Sequence, residues 1–361
     1  MASYGKNGNK MYHLLEVMLN DMEAAPKLYQ PTQFWKYGVQ KVLDDIRCHG
    51  VKRFRALSSA LGFFVPTYAF PIFCQQSEVC LQIERILAEN TVPRWQLSLN
   101  QFLSGKLHAF NDYRVYLATL QDSYPYLDRV SESNVGEPVE QFTFGGQRFS
   151  RSFLNYLLGL NFLKMCCDLS QVNTVLEIGG GYGTLGEILL GDTRNHCFYV
   201  DIDIPPTSFV STYYLKQVIG KPYVGDYCSL KEKSIFDISA LSAKYKAVVL
   251  CPWQLPKIEG TVDLFVNFIS FQEMEPEVVR NYLYHVDRLR ARYILMRNLR
   301  EGKSKAKEPG EPGVLEPITG KDYDLFLPNY QLVATNTVPF GYKTVDNFHS
   351  ELRVYQRKNS I

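Results

Sequence analysis

The sequence has little of what marks a metalloprotein, a disulfide scaffold or a nucleic-acid binder. Its eight cysteines, in 361 residues, form no C-x-x-C pair and no Cys/His spacing suited to zinc. No metal site is therefore expected, and the thiols read as reduced. The formal net charge is only +2, so the basic excess needed to neutralise many phosphates is missing. The one basic cluster is short, Arg300 with Lys303, Lys305 and Lys307, and no nucleic-acid partner is expected. The first residues, MASYGKNG, contain no apolar h-region, which predicts a cytoplasmic protein. The apolar stretch 57–73 falls short of the ~20 residues of a membrane span and contains Pro66 and Pro71. It reads as a buried segment rather than a span. No period of repeats is visible.

What is present is aromatic and periodic. Tyr and Phe, 24 and 22 of them, suit a surface that must be both apolar and hydrogen-bonding. Residues 10–127 carry mostly helical signals: Leu14, Leu15, Met18 and Leu19 share a face, and Val39, Leu43 and Ile46 continue the period. Leu81, Ile83, Ile86 and Leu87 repeat it more loosely. The polar stretch 128–138 reads as a linker, and a helix is expected over 150–163. Beyond it, β-like runs at 174–178, 197–200, 247–250, 264–268 and 293–296 alternate with helical stretches at 184–190, 208–218 and 276–290. Such alternation predicts an α/β fold with a doubly wound, Rossmann-like parallel sheet. Residues 301–317, rich in Lys, Gly, Pro and Glu, read as a mobile loop, and runs at 331–335 and 352–356 as a closing antiparallel pair. The expected division is a mainly helical cap or substrate domain, 1–135, and a nucleotide-binding domain, 136–361.

The stretch NTVLEIGGGYGT, 173–184, is the most informative. A buried strand ends near Glu177, and a glycine loop then opens a helix. Gly179, Gly180, Gly181 and Gly183, with Tyr182 among them, let the backbone approach a ligand more closely than side chains permit. Glu177 at the strand tip can accept hydrogen bonds from an ammonium group. An acid for ribose hydroxyls is expected about 20 residues on, where both Asp201 and Asp203 are available; Asp203, at the turn ahead of Pro205, is slightly preferred. The same glycines contain a second register, Gly181, Gly183 and Gly186, matching the G-x-G-x-x-G of NAD(P)-dependent oxidoreductases. There, however, the first glycine should follow the strand directly.

Residues 177–184, then Asp203-Ile-Pro-Pro with Tyr213-Tyr-Leu, then VDLFVNFISFQEM at 262–274, resemble the bacterial sugar O-methyltransferase family, a class I S-adenosylmethionine-dependent group. The similarity includes FTFGGQRFS at 142–150 and covers about residues 140–300. It implies a class I methyltransferase sheet, S-adenosylmethionine as cofactor, and a hydroxyl of a sugar or glycosylated small molecule as acceptor. A natural-product hydroxyl is the nearest alternative, and oligomeric state stays open. In the class I arrangement, Asn267 and Phe268 border the cofactor, and Ser270 and Glu273 follow the fourth strand facing the methyl group. Ser270 and Glu273 are equally spaced for a helix capping box. Pro252, Trp253 and Gln254 would border the adenine. Arg148 and Arg151 suit a bidentate grip on the methionine carboxylate. Glu273 is a candidate base, and so is His349 among the six histidines, with His108, His196 and His285 also considered.

Overall fold

The computed structural model describes residues 6–68, 77–89, 92–308, 313–344 and 346–358. Helices α1 (Lys6–Ala24), α2 (Gln33–His49), α3 (Ser58–Phe63), α4 (Ser77–Glu89), α5 (Pro93–Leu103) and α6 (Lys106–Ala118) come first. A hairpin of β1 (Phe142–Phe144) and β2 (Gln147–Phe149) leads into α7 (Arg151–Cys166). The alternating part begins with β3 (Thr174–Ile178), α8 (Thr184–Leu190), β4 (Phe198–Ile202) and α9 (Thr207–Leu215). Short elements β5 (Val224–Gly225), α10 (Tyr227–Leu230), β6 (Phe236–Asp237) and α11 (Ile238–Ser242) follow. Then come β7 (Ala247–Leu250), β8 (Ile258–Glu259), β9 (Leu264–Phe268), α12 (Pro276–Arg288) and β10 (Tyr293–Leu299). The chain closes with α13 (Gly320–Phe326), β11 (Tyr330–Asn336), β12 (Tyr342–Lys343) and β13 (His349–Arg357).

β3, β4, β7 and β9 are buried along their whole length, as expected of parallel strands covered on both faces. The main sheet runs β5-β7-β4-β3-β9-β10-β13-β11, with β12 added to β13. Neighbours from β5 to β10 are parallel, and β13 is antiparallel to both β10 and β11. The chain leaves β3 in one direction through β4 and β7, then returns to lay β9 on its other side. That reversal is a topological switch point, and it opens a crevice beyond the strand C-termini. The fold is thus the doubly wound α/β arrangement expected.

α7 is buried on almost every side and is capped by the Ser150 hydroxyl, which accepts from the Phe153 amide at 3.3 Å. The N-terminal helices do not stand apart. Leu15, Met18, Val42, Ile46 and Phe54 share one core with Leu185, Phe209 and Val266. No described helix is long and apolar enough to cross a membrane.

Three local expectations change and one holds where it is described. The polar stretch 128–138 is a packed strap, because Glu132 is fully buried against Arg55. Leu81 and Ile86 are about half exposed, so these two positions of α4 do not face a core. Within 57–73, Leu57, Ala60, Phe64 and Val65 are buried as expected, while 69–73 lie outside the described residues. The loop 301–317 is tied where it is described: the Ala306 amide donates to Val314, and the Val314 amide to Ser304.

Candidate active site

The strand ends at Ile178, and Gly179 follows it directly with φ +75°. Its amide donates to the Ile202 carbonyl at 2.8 Å, which ties the glycine loop to the end of β4. The Gly181 amide donates to Asp203 Oδ2 at 3.0 Å, and the Ile204 amide to Asp203 Oδ1 at 2.7 Å. Asp203 therefore braces the loop while retaining lone pairs on both oxygens. On the other side, Asn267 Nδ2 donates to the Ile178 carbonyl at 2.8 Å and to Ser270 Oγ at 2.6 Å. Ile269 between them has φ +72°, a conformation that a β-branched residue adopts only under constraint. Its amide donates to the Arg297 carbonyl at 2.7 Å.

These loops floor a cavity of about 250 Å³. Gly179, Gly180, Gly181, Tyr182, Asp203, Pro252, Phe268, Ser270 and Glu273 line it, as the sequence suggests. From the helical side come Thr32, Trp35, Phe63 and Phe64, and from elsewhere Ser152, Asn155, Tyr156, Gln272, Lys303 and Tyr342. Tyr156 and Phe268 stack at 4.6 Å with planes 3° apart.

The other sequence candidates lie away from the cavity wall. Glu177 is fully buried, with Oε1 accepting from Tyr156 at 2.6 Å and Oε2 from Tyr199 at 2.5 Å. It lies beneath the loop and is not among the residues that line the cavity. Asp201 is buried beside it and accepts from the Ser211 hydroxyl. Gly183 starts α8 with φ +95°. Asn267 holds the loops together. Arg148 turns away, its Nε donating to the Glu132 carbonyl at 2.9 Å. Arg151 instead lies over the Tyr342 ring, at 4.9 Å. The Trp253 indole donates to the Tyr227 hydroxyl at 2.9 Å, and the Gln254 side chain accepts from the Cys251 amide at 2.9 Å, capping its own turn. His349, at the start of β13, is held by Glu301 at 2.7 Å and Arg300 at 2.8 Å, outside the cavity. His285 is buried against the Tyr29 hydroxyl at 3.0 Å.

The capping box also fails. Ser270 Oγ pairs with Asn267 and the Ile178 carbonyl, not with the Glu273 amide. The Glu273 carboxylate accepts from Trp35 Nε1 at 3.0 Å and from Lys303 Nζ at 2.8 Å. The Thr32 hydroxyl reaches the Glu273 carbonyl at 2.8 Å. Two distant segments, the start of α2 and the loop at Lys303, therefore meet at this one residue.

Burial pushes Glu177 up to about 8, helped by the neighbouring Asp201 charge, and pushes Asp201 up to about 7. Both groups hold a proton when folded that they lose when unfolded, across the window from the ordinary carboxylate range to about pH 8. The unfolded state then binds fewer protons, so stability falls as pH rises through that window. Thermal unfolding at a series of pH values should give a higher midpoint near pH ~5 than near pH ~8. A flat profile would show that neither carboxyl is shifted.

No family model matches the chain, and none of the curated proteins matches it. Among solved structures it is similar to the mitomycin 7-O-methyltransferase MmcR, at 9% identity over 93% of this chain and 71% of that one, TM-score 0.36. It is similar to magnesium protoporphyrin IX methyltransferase from Synechocystis PCC 6803, at 11% identity over 57% of this chain and 81% of that one, TM-score 0.36. A SAM-dependent methyltransferase from Aquifex aeolicus overlaps at 16% identity, 55% of this chain and 88% of that one, TM-score 0.34.

Proposed function

We propose that the protein transfers a methyl group from S-adenosylmethionine to a hydroxyl of a small-molecule acceptor. The observation that carries this reading is the glycine loop at the switch point, with Asp203 beside it in the cavity wall. The residues fit an adenosyl ligand. At Gly181 the wall is bare backbone, and Asp203 has lone pairs left for ribose hydroxyls. Pro252 and Ile204 offer an apolar edge for the base. Bound there, S-adenosylmethionine supplies a methyl group already activated by a positively charged sulfur. The chain's part is to hold the acceptor in line and exclude water, a proximity effect. In this reading residues 1–135 are a cap and 136–361 the cofactor domain. Support comes from Trp35, Phe63 and Phe64, which reach the cavity from the N-terminal side. A saccharide acceptor rests on the sequence resemblance at 142–150 and 262–274.

The oxidoreductase register is not favoured. The residue directly after β3 is Gly179, not Gly181, and Gly186 packs inside α8 against Tyr199 and Leu215.

Calorimetric titration with S-adenosylhomocysteine tests the proposal. Wild type should bind, and Asp203→Ala should bind about 10- to 100-fold more weakly, the cost of leaving buried ribose hydroxyls without their acceptor. Glu177→Ala should first lower stability, because the Tyr156 and Tyr199 hydroxyls lose their buried acceptor. A well-folded wild type that binds NAD(H) and no S-adenosylhomocysteine would sink the reading.

A further inference from the structure

We propose, resting on the methyltransferase reading, that the acceptor is an aromatic compound with an ionisable hydroxyl, bound as its oxyanion against Lys303. The first argument is the shortage of bases. The described residues lining the cavity include no histidine, and their only carboxylates are Asp203 and Glu273. Asp203 accepts from two backbone amides and is the ribose acid. Both Glu273 oxygens already accept an N–H, from Trp35 and from Lys303. An aliphatic hydroxyl needs a base to accept its proton during transfer, a contribution of roughly 10²–10⁴-fold, and here the one carboxylate besides the ribose acid would have to give up its ion pair with Lys303 to serve. A phenol-like hydroxyl ionises within reach of neutral pH and needs no base.

The second argument is charge. Lys303 Nζ lines the cavity, donates to Glu273 Oε1 at 2.8 Å, and stands 3.9 Å from the Phe34 ring centroid. An ammonium carries three donors, so N–H groups remain for an acceptor oxygen. Glu273, fixed by Trp35 and Thr32, sets where that ammonium sits. A cation at the site favours the charged form of an acidic ligand. The third argument is the wall, where Trp35, Phe63, Phe64, Tyr342 and the stacked Tyr156–Phe268 pair offer flat apolar faces for a ring.

In the transfer, the acceptor hydroxyl has first lost its proton to solvent. An oxygen lone pair forms the new O–C bond to the methyl carbon while the C–S bond breaks, its electron pair staying on sulfur. The negative oxygen and positive sulfur become a neutral ether and a neutral thioether, and Lys303 keeps its protons. A glycosylated aromatic compound would satisfy both this chemistry and the saccharide resemblance, with the methyl group going to the ring hydroxyl.

The test uses full-length protein saturated with S-adenosylhomocysteine and para-nitrophenol, whose anion absorbs visible light. Bound para-nitrophenol should ionise at lower pH than free ligand, its acid dissociation constant raised about tenfold or more, about 1.4 kcal/mol. Lys303→Met should lose that shift and Lys303→Arg should keep most of it, with circular dichroism showing that each variant folds. Absence of para-nitrophenol binding, binding with unchanged ionisation, or a shift that survives Lys303→Met overturns the proposal. So does binding of methyl β-D-glucopyranoside in its place. Failure to bind S-adenosylhomocysteine at all fails the methyltransferase reading itself, and this proposal falls with it.

Discussion

Gly179→Ala is expected to cost about 2–5 kcal/mol of stability and to reduce S-adenosylhomocysteine binding at least ~100-fold. Two separate penalties meet at this position. At φ +75° an L side chain crowds its own backbone, at roughly 1–2 kcal/mol. The added Cβ would also lie 2.0 Å from Ser270 Oγ and 2.3 Å from Ser270 Cβ, inside any real contact distance. Ser270 cannot simply step aside. Its hydroxyl is held by Asn267, which is itself held by the Ile178 carbonyl and by Asn298 at 3.0 Å. Either the glycine loop or the loop after β9 must move, and both floor the same cavity. Denaturant unfolding and calorimetry on the single variant measure the two losses. Adding Ser270→Gly removes the colliding atoms but not the φ penalty, so it should restore part of the stability. Wild-type affinity in Gly179→Ala would show that the loop does not form the binding wall.

The sheet was legible in the sequence because its strands are short, apolar and buried on both faces, so that β3, β7 and β9 stand out between helical stretches. The glycine loop was legible for a related reason: only glycine meets its backbone demands. Lys303 was not, because locally it belongs to a run of lysines in a loop. Its role depends on Glu273 and Phe34, which no spacing rule connects to it. Trp35 and Tyr342 were hidden in the same way. Glu177 shows the opposite difficulty. An acid at a strand tip is visible, yet nothing local reveals that Tyr156 from α7 and Tyr199 from β4 will occupy both its oxygens. The S-x-x-E spacing at Ser270 met the local rule for a cap, and the Ile178 carbonyl for Ser270 and Trp35 for Glu273 outcompeted it. Polarity misled at 128–138, where it signals a buried network rather than solvent.

That network sets the second large effect. Arg55→Met should destabilise the protein by about 3–5 kcal/mol, the usual consequence of breaking a fully buried ion pair by removing one partner. Arg55 Nη2 meets Glu132 Oε1 at 2.5 Å, and neither side chain has any solvent exposure. Glu132 also accepts from the Ser150 hydroxyl at 2.7 Å and the Tyr182 hydroxyl at 3.2 Å, so it links the N-terminal helices, the α7 cap and the glycine loop. Glu187 lies close by, pushed up to about 7 by burial and by the Glu132 charge. Without the guanidinium, whose charge favours its ionised form, Glu187 resists ionisation further when folded but not when unfolded. The deficit of the variant should therefore be smallest at and below the ordinary carboxylate range and grow as pH rises from it toward and past about 7, because protonation removes the uncompensated charge. Unfolding of both proteins between pH ~4 and ~8 reads the difference directly. A constant difference across that range would count against charge as the cause, leaving lost packing as the explanation. Arg55→Met combined with Glu132→Gln keeps an acceptor for Ser150 and Tyr182 but removes the charge, so it should recover more than half of the loss. If it does, S-adenosylhomocysteine binding should recover with it, since Tyr182 lines the cavity and its hydroxyl is anchored to Glu132.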